Sequence, residues 1–253
     1  MELRLGHLYP ELMNTYGDRG NILALQRRAA WRGITLHVEG LSLGDRLDPY
    51  AYDLFFFGGG QDREQAVVAA DLVARKGAGL REAVEAGAVV LAICGGYQLL
   101  GHEFRTASGE VLPGVGVLDV WTVAGDRRHI GNCVVRCTLT GEERLLVGFE
   151  NHSGKTYLGP GCAPLGWVEI GAGNNGEDGT EGAVYRAAYG CYLHGSLLPK
   201  NPWFADHLLR QALVRRYGPA VPFPALDDRL EEQAQRSVLE RVRQIGRAAI
   251  GVR

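Results

Sequence analysis

Cys94 stands where an apolar run gives way to two glycines and a helix-like pattern, in VVLAICGGYQLLG at 89–101. A nucleophile on such a strand-to-helix turn needs small neighbours, and Ala92 and Gly96 meet that need. The N-terminus of the following helix would favour the thiolate, which is the reactive form of cysteine. Because free cysteine is also among the most buried residue types, this stretch alone leaves both a nucleophilic and a packing role open.

Two further stretches could complete a site around this cysteine. His194 closes a strand in AAYGCYLHGSLLPKNP at 187–202, and the C-terminal ends of strands form the edge where α/β sheets place their sites. A histidine there could serve as the base for Cys94. FFFGGGQDREQ at 55–65 is another strand end, and its glycines let backbone N–H groups approach a developing oxyanion, as the N–H of Gly95 could from the other side. Each stretch alone fits an ordinary turn, but together they favour a cysteine–histidine site.

The elements that must position these residues alternate between strands and helices. Apolar periodicity predicts a helix at 21–33 and two helical segments within 62–87, and the strands predicted around them lie at 3–9, 34–40, 52–60 and 88–94. Continuous apolar strands that alternate with helices indicate a mostly parallel sheet flanked by helices. The predicted fold class is therefore α/β.

After about residue 113 the sequence changes to β-rich runs broken by glycine. These runs lie at 115–123, 130–139 and 145–152, and they predict an antiparallel β extension of the sheet. A polar, glycine-dense segment at 171–182 predicts a hairpin tip. Strands follow at 183–189 and 190–194, and helices at 202–217 and 228–247 are expected to pack on the sheet. No repeat or linker divides the chain, so we predict a single domain over 1–253.

Composition argues against several classes of function. The 27 Lys and Arg residues are scattered and nearly balance the 29 Asp and Glu residues, so no nucleic-acid or membrane-surface partner is predicted. No stretch reaches the roughly 18 apolar residues of a bilayer span, so no transmembrane segment is predicted. Five irregularly spaced cysteines favour a reducing compartment, and the cytoplasm is the expected location.

Two motifs suggest ligands but do not complete a site. Cys133 and Cys137 lie four apart on a predicted strand, but no histidine or cysteine pair completes a zinc set, so no metal is predicted. NHSGKTY at 151–157 ends like a phosphate-binding loop, yet Phe149 occupies the position of the required first glycine. No ATP binding is therefore predicted in this segment.

The three strand-end stretches, in this order, resemble the class I glutamine amidotransferases. That family's pattern is a strand-end glycine loop, then C-x-G-x-Q, then a distant histidine. The variants CGGYQLLG and YLHGSLLPKNP are similar to the cobyric acid synthase branch of the family. Within this branch, NTYGDRGNILAL at 14–25, RRHIGN at 127–132 and GFENHSGKTYLG at 148–159 resemble the GatD-type glutaminase subunit of lipid II isoglutaminyl synthase.

The resemblance implies a role for each candidate residue. Cys94 would attack the side-chain amide of L-glutamine, release ammonia and form a glutamyl thioester that water hydrolyses. His194 would act as general base and then as the acid for the leaving ammonia. Substrate-binding groups would be the N–H groups of Gly60 and Gly95 as oxyanion hole, the side chain of Gln98, and Arg128 for the α-carboxylate, with the adjacent Arg127 as fallback.

The resemblance also implies a partner. Ammonia would pass to a Mur-ligase-like subunit, MurT, in a heterodimer. That partner would use ATP, with Mg²⁺, to activate the α-carboxyl of the D-glutamate in lipid II and form D-isoglutamine during peptidoglycan synthesis. No cofactor is expected in this chain itself.

One departure from the family and two rival functions stay open. Ser196 stands where many relatives have a glutamate that orients the histidine, which argues for a dyad or for an orienting group from elsewhere. Glu150 is one candidate for that group, and the favoured alternative is that Glu150 is an ordinary loop acid near a strand end. The enzymatic rival is an amidotransferase subunit that serves a cobyrinate-like acid. The rival from another class is a non-catalytic α/β protein with Cys94 as redox sensor.

Overall fold

A computed structural model describes residues 1–14 and 18–250, with the backbone alone for 245–250. Residues 15–17 of the predicted GatD-like segment at 14–25, and residues 251–253 of the predicted domain, lie outside the described part. The helices are α1 (Arg19–Ala30), α2 (Asp62–Asp71), α3 (Gly77–Glu85), α4 (Gly95–Leu100), α5 (Leu197–Lys200), α6 (Pro202–Tyr217) and α7 (Arg229–Ile250), with a π-helical turn at Leu72–Lys76. The strands are β1 (Glu2–Leu8), β2 (Thr35–Leu41), β3 (Leu54–Phe57), β4 (Val89–Ile93), β5 (Glu103–Arg105), β6 (Val111–Pro113), β7 (Val120–Cys137), β8 (Arg144–Leu158), β9 (Gly166–Ile170), β10 (Thr180–Glu181), β11 (Ala183–Tyr185) and β12 (Ala188–Cys191).

The first sheet is the predicted parallel sheet with one antiparallel edge. Its order within the described residues is β2-β1-β3-β4-β12-β11, and only the β11–β12 pair is antiparallel. Every residue of β3 and β4 is buried, as expected for strands covered on both faces. Because β1, β3, β4 and β12 run in the same direction, the segments after them meet at one edge of the sheet.

A second, separate sheet corresponds to the predicted antiparallel extension; it is mostly antiparallel, and its β5–β7 pair is parallel. Its order within the described part of the chain is β10-β9-β7-β5-β6, with β8 paired to β7. The β7–β8 pairing is antiparallel, and its register shifts between Ala124 and His129. The β9–β10 pairing confirms the predicted hairpin at 171–182. These two sheets confirm the predicted fold class.

Several sequence-based boundaries were wrong. The strands predicted at 183–189 and 190–194 are β11 and β12, and the turn between them lies at 186–187 instead of after 189. The predicted strands at 115–123 and 130–139 are one strand, β7, which begins only at Val120. Gly116, at a φ of 62°, lies in the turn that precedes it, and this turn interrupts the apolar run that suggested an earlier start. The sequence pattern predicts that Gly77 and Gly79 separate the two helical segments within 62–87. Both glycines lie inside α3, and the interruption is the π-helical turn before them.

The C-terminal helices pack on different parts of the molecule. α6 contacts α1 and β4. α7 places Leu239 and Val242 against Val134 of β7 and Val147 of β8 in a small second core. No helix in the described residues combines the length and the hydropathy that a membrane crossing requires.

Candidate active site

Cys94 occupies a strained backbone position between β4 and α4. Its φ of 50° and ψ of −106° lie outside the regions that non-glycine residues ordinarily adopt. A Cβ on Gly96 would lie 2.5 Å from Phe57 O and 2.8 Å from Gly58 O, so the turn accepts only glycine there. Such strain persists when the surrounding structure fixes it, and it is concentrated at functional sites.

His194 reaches the same edge from the segment after β12. A backbone bridge holds it: its N–H donates to Phe149 O at 2.8 Å, and the N–H of Phe149 donates to His194 O at 3.2 Å. The imidazole is buried and interacts with the thiol of Cys94. The structure thus brings together the two residues that the sequence placed 100 positions apart.

Asp18 is the acidic partner of His194, and the sequence analysis missed it. Asp18 Oδ1 lies 3.4 Å from His194 Nδ1, with side-chain exposures of 0% and 1%. Its other oxygen, Oδ2, accepts the N–H of Gly59 at 2.8 Å. Asp18 is also the N-cap residue of α1, the helix after β1, so it reaches the site from a third strand end. It lies in the quoted 14–25 segment, so its acidity beside a helix start was an available signal.

Asp18 and Cys94 determine the charge of His194. Burial by itself lowers the pKa of the imidazole, but hydrogen bonds to Asp18 and Cys94, and the negative charges of both, raise this pKa to about 10. The positive imidazolium is therefore the favoured form near neutral pH. An imidazolium held between the side chains of Asp18 and Cys94 is suited to donate a proton to a leaving group.

Glu150 does not orient His194, contrary to the candidate named from the sequence. Its carboxylate accepts the N–H of Ala172 at 2.9 Å and the N–H of Gly173 at 3.1 Å. These bonds anchor the loop between β9 and β10. The physical reason for the error is that β8 directs this buried acid toward that loop, while the segment after β1 supplies the acid at the histidine.

The glycine loop after β3 lies against the cysteine and the histidine. A Cβ on Gly59 would lie 3.0 Å from His194 Cε1 and 3.5 Å from Cys94 Cβ. A Cβ on Gly95 would lie 3.0 Å from the backbone nitrogen of Gly60. No hydrogen bond within the described residues uses the N–H of Gly60 or of Gly95. The backbone nitrogen of Gly60 therefore lies beside Gly95, and neither N–H has a hydrogen-bond partner among the described residues.

A cavity beside Cys94 brings most of the sequence-predicted residues together. We call it the Cys94 cavity, and its lining includes Gly60, Cys94, Gln98 and Arg128. Arg127 is not among its lining residues, so the structure favours Arg128 over the fallback. Arg128 lies next to the register shift of β7, and its Nε donates to Asn151 Oδ1 at 2.7 Å. Bulges commonly redirect a side chain in this way.

Gln98 is held by an aromatic group that the sequence analysis did not single out. Its Nε2 donates to the hydroxyl of Tyr192 at 3.0 Å. The ring of Tyr192 stacks on His152 with 3.7 Å between centroids, and its hydroxyl also pairs with Thr156 Oγ1 at 2.7 Å. Burial lowers the pKa of His152 to about 4, so this stack holds a neutral imidazole. The side chain of Gln98 therefore has a fixed position in the cavity wall.

The remaining motifs of the sequence analysis have structural roles. Cys133, Cys137 and Cys191 are buried free thiols, and Cys162 is half-buried. No group of three or more His, Cys, Asp or Glu side chains in the described chain is arranged to hold a metal ion. Residues 154–156 of the phosphate-loop-like segment lie inside β8, where Lys155 pairs with Glu177 at 2.7 Å. This segment therefore does not form a loop that leads into a helix.

Comparison with known proteins shows which protein family this sequence matches. The model of the CobB/CobQ-like glutamine amidotransferase domain matches residues 4–202. The GatD subunit of lipid II isoglutaminyl synthase (glutamine-hydrolyzing) from Streptococcus pneumoniae is 42% identical over 92% of this chain and 88% of that protein. The subunit of the same name from Staphylococcus aureus is 41% identical over 95% of this chain and 96% of that protein.

Solved structures agree on the fold. The crystal structure of a glutamine amidotransferase from Thermotoga maritima superposes with a TM-score of 0.52 and 17% identity, covering 95% of this chain and 97% of that one. At this identity the likeness bears on the architecture alone.

Proposed function

The chain belongs to the CobB/CobQ-like glutamine amidotransferase family and, within it, to the GatD-type glutamine-hydrolysing subunits. On that premise we propose that it supplies ammonia from L-glutamine for the amidation of lipid II. The observation that carries the proposal is the buried contact of Cys94, His194 and Asp18 at one edge of the parallel sheet. The names and coverage of the two GatD relatives support the choice of acceptor.

In the proposed reaction Cys94 is the nucleophile. Its thiolate attacks the carboxamide carbon of glutamine, and the N–H groups of Gly60 and Gly95 bind the resulting oxyanion. His194 donates its proton to the nitrogen, the C–N bond breaks, and ammonia leaves a γ-glutamyl thioester on Cys94. His194 then takes a proton from water, the water oxygen attacks the thioester carbon, and glutamate is released as the thiolate re-forms.

Three side chains would position the substrate and the histidine. Arg128 would hold the α-carboxylate, because a guanidinium pairs with a carboxylate through two parallel hydrogen bonds. Gln98 would contact the bound glutamine from the cavity wall. Asp18 would orient His194 and stabilise its imidazolium, which the raised pKa of His194 supports.

The proposed partner is a Mur-ligase-like subunit of the MurT type. It would form a heterodimer with this chain and use ATP and Mg²⁺ to activate the α-carboxyl of the stem-peptide D-glutamate of lipid II. Ammonia from the Cys94 cavity would convert that group to the amide of D-isoglutamine. We place this complex in the cytoplasm, a location that the free thiols of the described residues support.

Co-purification with a MurT-type ligase and a subsequent amidation assay test this function. With ATP, lipid II and L-glutamine labelled with ¹⁵N in its amide, we expect ¹⁵N in the D-isoglutamine of the product. The Cys94→Ala complex should lose this incorporation but recover amidation when ammonium chloride is added. If lipid II stays unamidated with both nitrogen sources, it is not the acceptor, and a cobyrinate-like acid is favoured as the acceptor instead.

A further inference from the structure

Gln65, a residue of α2, has an amide whose orientation is fixed by a backbone carbonyl. Its side chain is 3% exposed, and Nε2 donates to Gly60 O at 3.0 Å. A carbonyl oxygen can only accept a hydrogen bond, so the nitrogen of the Gln65 amide must face Gly60 O. The other end of the amide, Oε1, is therefore identified as the acceptor.

The same amide lies against the two glycines that would bind the oxyanion. A Cβ on Gly95 would lie 2.9 Å from Gln65 Nε2 and 3.0 Å from the backbone nitrogen of Gly60. Gln65 thus lies beside the backbone groups that are proposed to bind the oxyanion. It also lines the Cys94 cavity, together with Cys94 itself.

Oε1 of Gln65 is buried and has no hydrogen-bond partner among the residues that the structure describes. A buried acceptor without a partner destabilises the protein unless a ligand or water supplies a donor. The scissile carboxamide of glutamine has two N–H donors, and the nearby oxyanion donors occupy only its oxygen.

We propose that Gln65 determines specificity by accepting an N–H of the substrate carboxamide at Oε1. The γ-carboxylate of the product glutamate has no N–H, and its oxygen would face the lone pairs of Oε1. The same residue therefore favours binding of the amide and disfavours retention of the acid. This inference rests on the proposed glutaminase activity and does not depend on the acceptor of the ammonia.

Comparison of two substrates on one variant tests the proposal. L-Glutamate γ-methyl ester gives the same thioester as glutamine but has no N–H on its leaving group. In Gln65→Met we expect kcat/KM for glutamine to fall roughly tenfold more than kcat/KM for the ester. Equal losses for the two substrates would show that Gln65 only supports the glycine loop and would overturn the proposal.

The ratio of kcat/KM for glutamine to kcat/KM for the ester does not depend on the fraction of the protein that is folded. A misfolded fraction lowers both rates in the same sample equally, and Gln65→Leu repeats the test with a second apolar side chain. Gln211→Met is the matched control, because this half-buried amide on α6 accepts the hydroxyl of Tyr189 outside the cavity. It should leave the ratio unchanged. Wild-type protein that hydrolyses neither substrate would contradict the glutaminase function itself, which is a distinct outcome.

Discussion

At the scale of single residues, three buried groups define the chemistry. Cys94 is strained, His194 is charged, and Asp18 lies on the far side of the imidazole. The carboxylate adds both an orientation and a charge, so the proposed catalytic unit is a triad. Ser196, two residues after His194, has no carboxylate, and the acid beside the histidine comes from Asp18, 176 positions earlier in the chain.

Replacement of Asp18 by asparagine should change both rate and pH dependence. The pKa of His194 is about 10 in the folded protein, against an ordinary value of 6.5. The imidazolium therefore contributes to the free energy of unfolding; this contribution is fully present below pH 6.5 and is lost as the pH rises toward 10. In Asp18→Asn the imidazolium loses its carboxylate. We expect the alkaline limb of the pH profile of kcat/KM to move down by about 1 to 3 pH units.

Glu150→Gln is the control for that profile. Because Glu150 bonds to the backbone of the loop between β9 and β10, its neutralisation should leave the alkaline limb in place. A shift caused by Glu150→Gln, together with an unchanged limb in Asp18→Asn, would reverse the assignment of the orienting acid.

Replacement of Cys94 by alanine should remove glutamine hydrolysis and leave the fold intact. The thiolate is the attacking group, so we expect kcat to fall by at least about 10³-fold. Glutamate release measures the rate, and circular dichroism checks the fold. Cys162→Ala, at a half-buried thiol outside the cavity, should retain wild-type activity. Undiminished ammonia release by Cys94→Ala would refute the assignment of Cys94 as the nucleophile.

At the scale of elements, the site is built from the segments at the carboxyl ends of four parallel strands. β1 leads to Asp18, β3 to the glycine loop, β4 to Cys94 and β12 to His194. These strands are neighbours in the sheet, so residues far apart in sequence converge without any local contact between them. This edge is where such sheets commonly place their sites.

Gly59→Ala tests how tightly the glycine loop fits. The added Cβ would be 3.0 Å from His194 Cε1 and 3.5 Å from Cys94 Cβ, so the imidazole or the loop must shift by a few tenths of an ångström. We expect kcat to fall roughly tenfold or more, because small displacements of reacting groups are costly. In Gly131→Ala the new Cβ meets no atom within 4 Å, so this β7 variant should behave as wild type. Equal activities in the two variants would contradict the tight fit.

Sequence patterns predicted the elements better than they predicted the contacts between them. β4 was predicted at 88–94 and spans Val89–Ile93, because a fully buried strand has a continuous apolar run. Asp18 could not be derived in this way, since its contact with His194 spans 176 positions and depends on the strand order. Gln65 was also missed, because helical periodicity places it on α2 but does not show that its amide meets Gly60.

At the scale of the whole molecule, a buried arginine ties three segments together. Arg28 of α1 donates to Asp206 of α6 at 2.6 Å and to Asp228, just before α7, at 2.8 Å. Its side chain is buried, and the two acids are partly exposed. This network connects the C-terminal helices to α1, whose N-cap residue is Asp18.

Replacement of Arg28 should destabilise the fold without changing the groups of the candidate active site. Arg28→Met leaves two acids short of a partner, and we expect the free energy of unfolding to fall by about 2–4 kcal/mol in urea titrations. Arg229→Met removes an exposed pair with Asp227, which solvent screens, so the free energy of unfolding should fall far less than in Arg28→Met. Equal losses in these two variants would contradict the structural role of the network.

Covalent labelling by diazo-oxo-norleucine tests most directly the central claim that Cys94 attacks a bound glutamine side chain. The thiolate displaces dinitrogen from this glutamine analogue after its diazo carbon is protonated, which leaves a stable thioether. We expect mass spectrometry of digested protein to show one adduct per chain, at Cys94, and none in Cys94→Ala. An unlabelled Cys94, or equal labelling of another cysteine, would contradict the account and favour a non-catalytic role for this thiol.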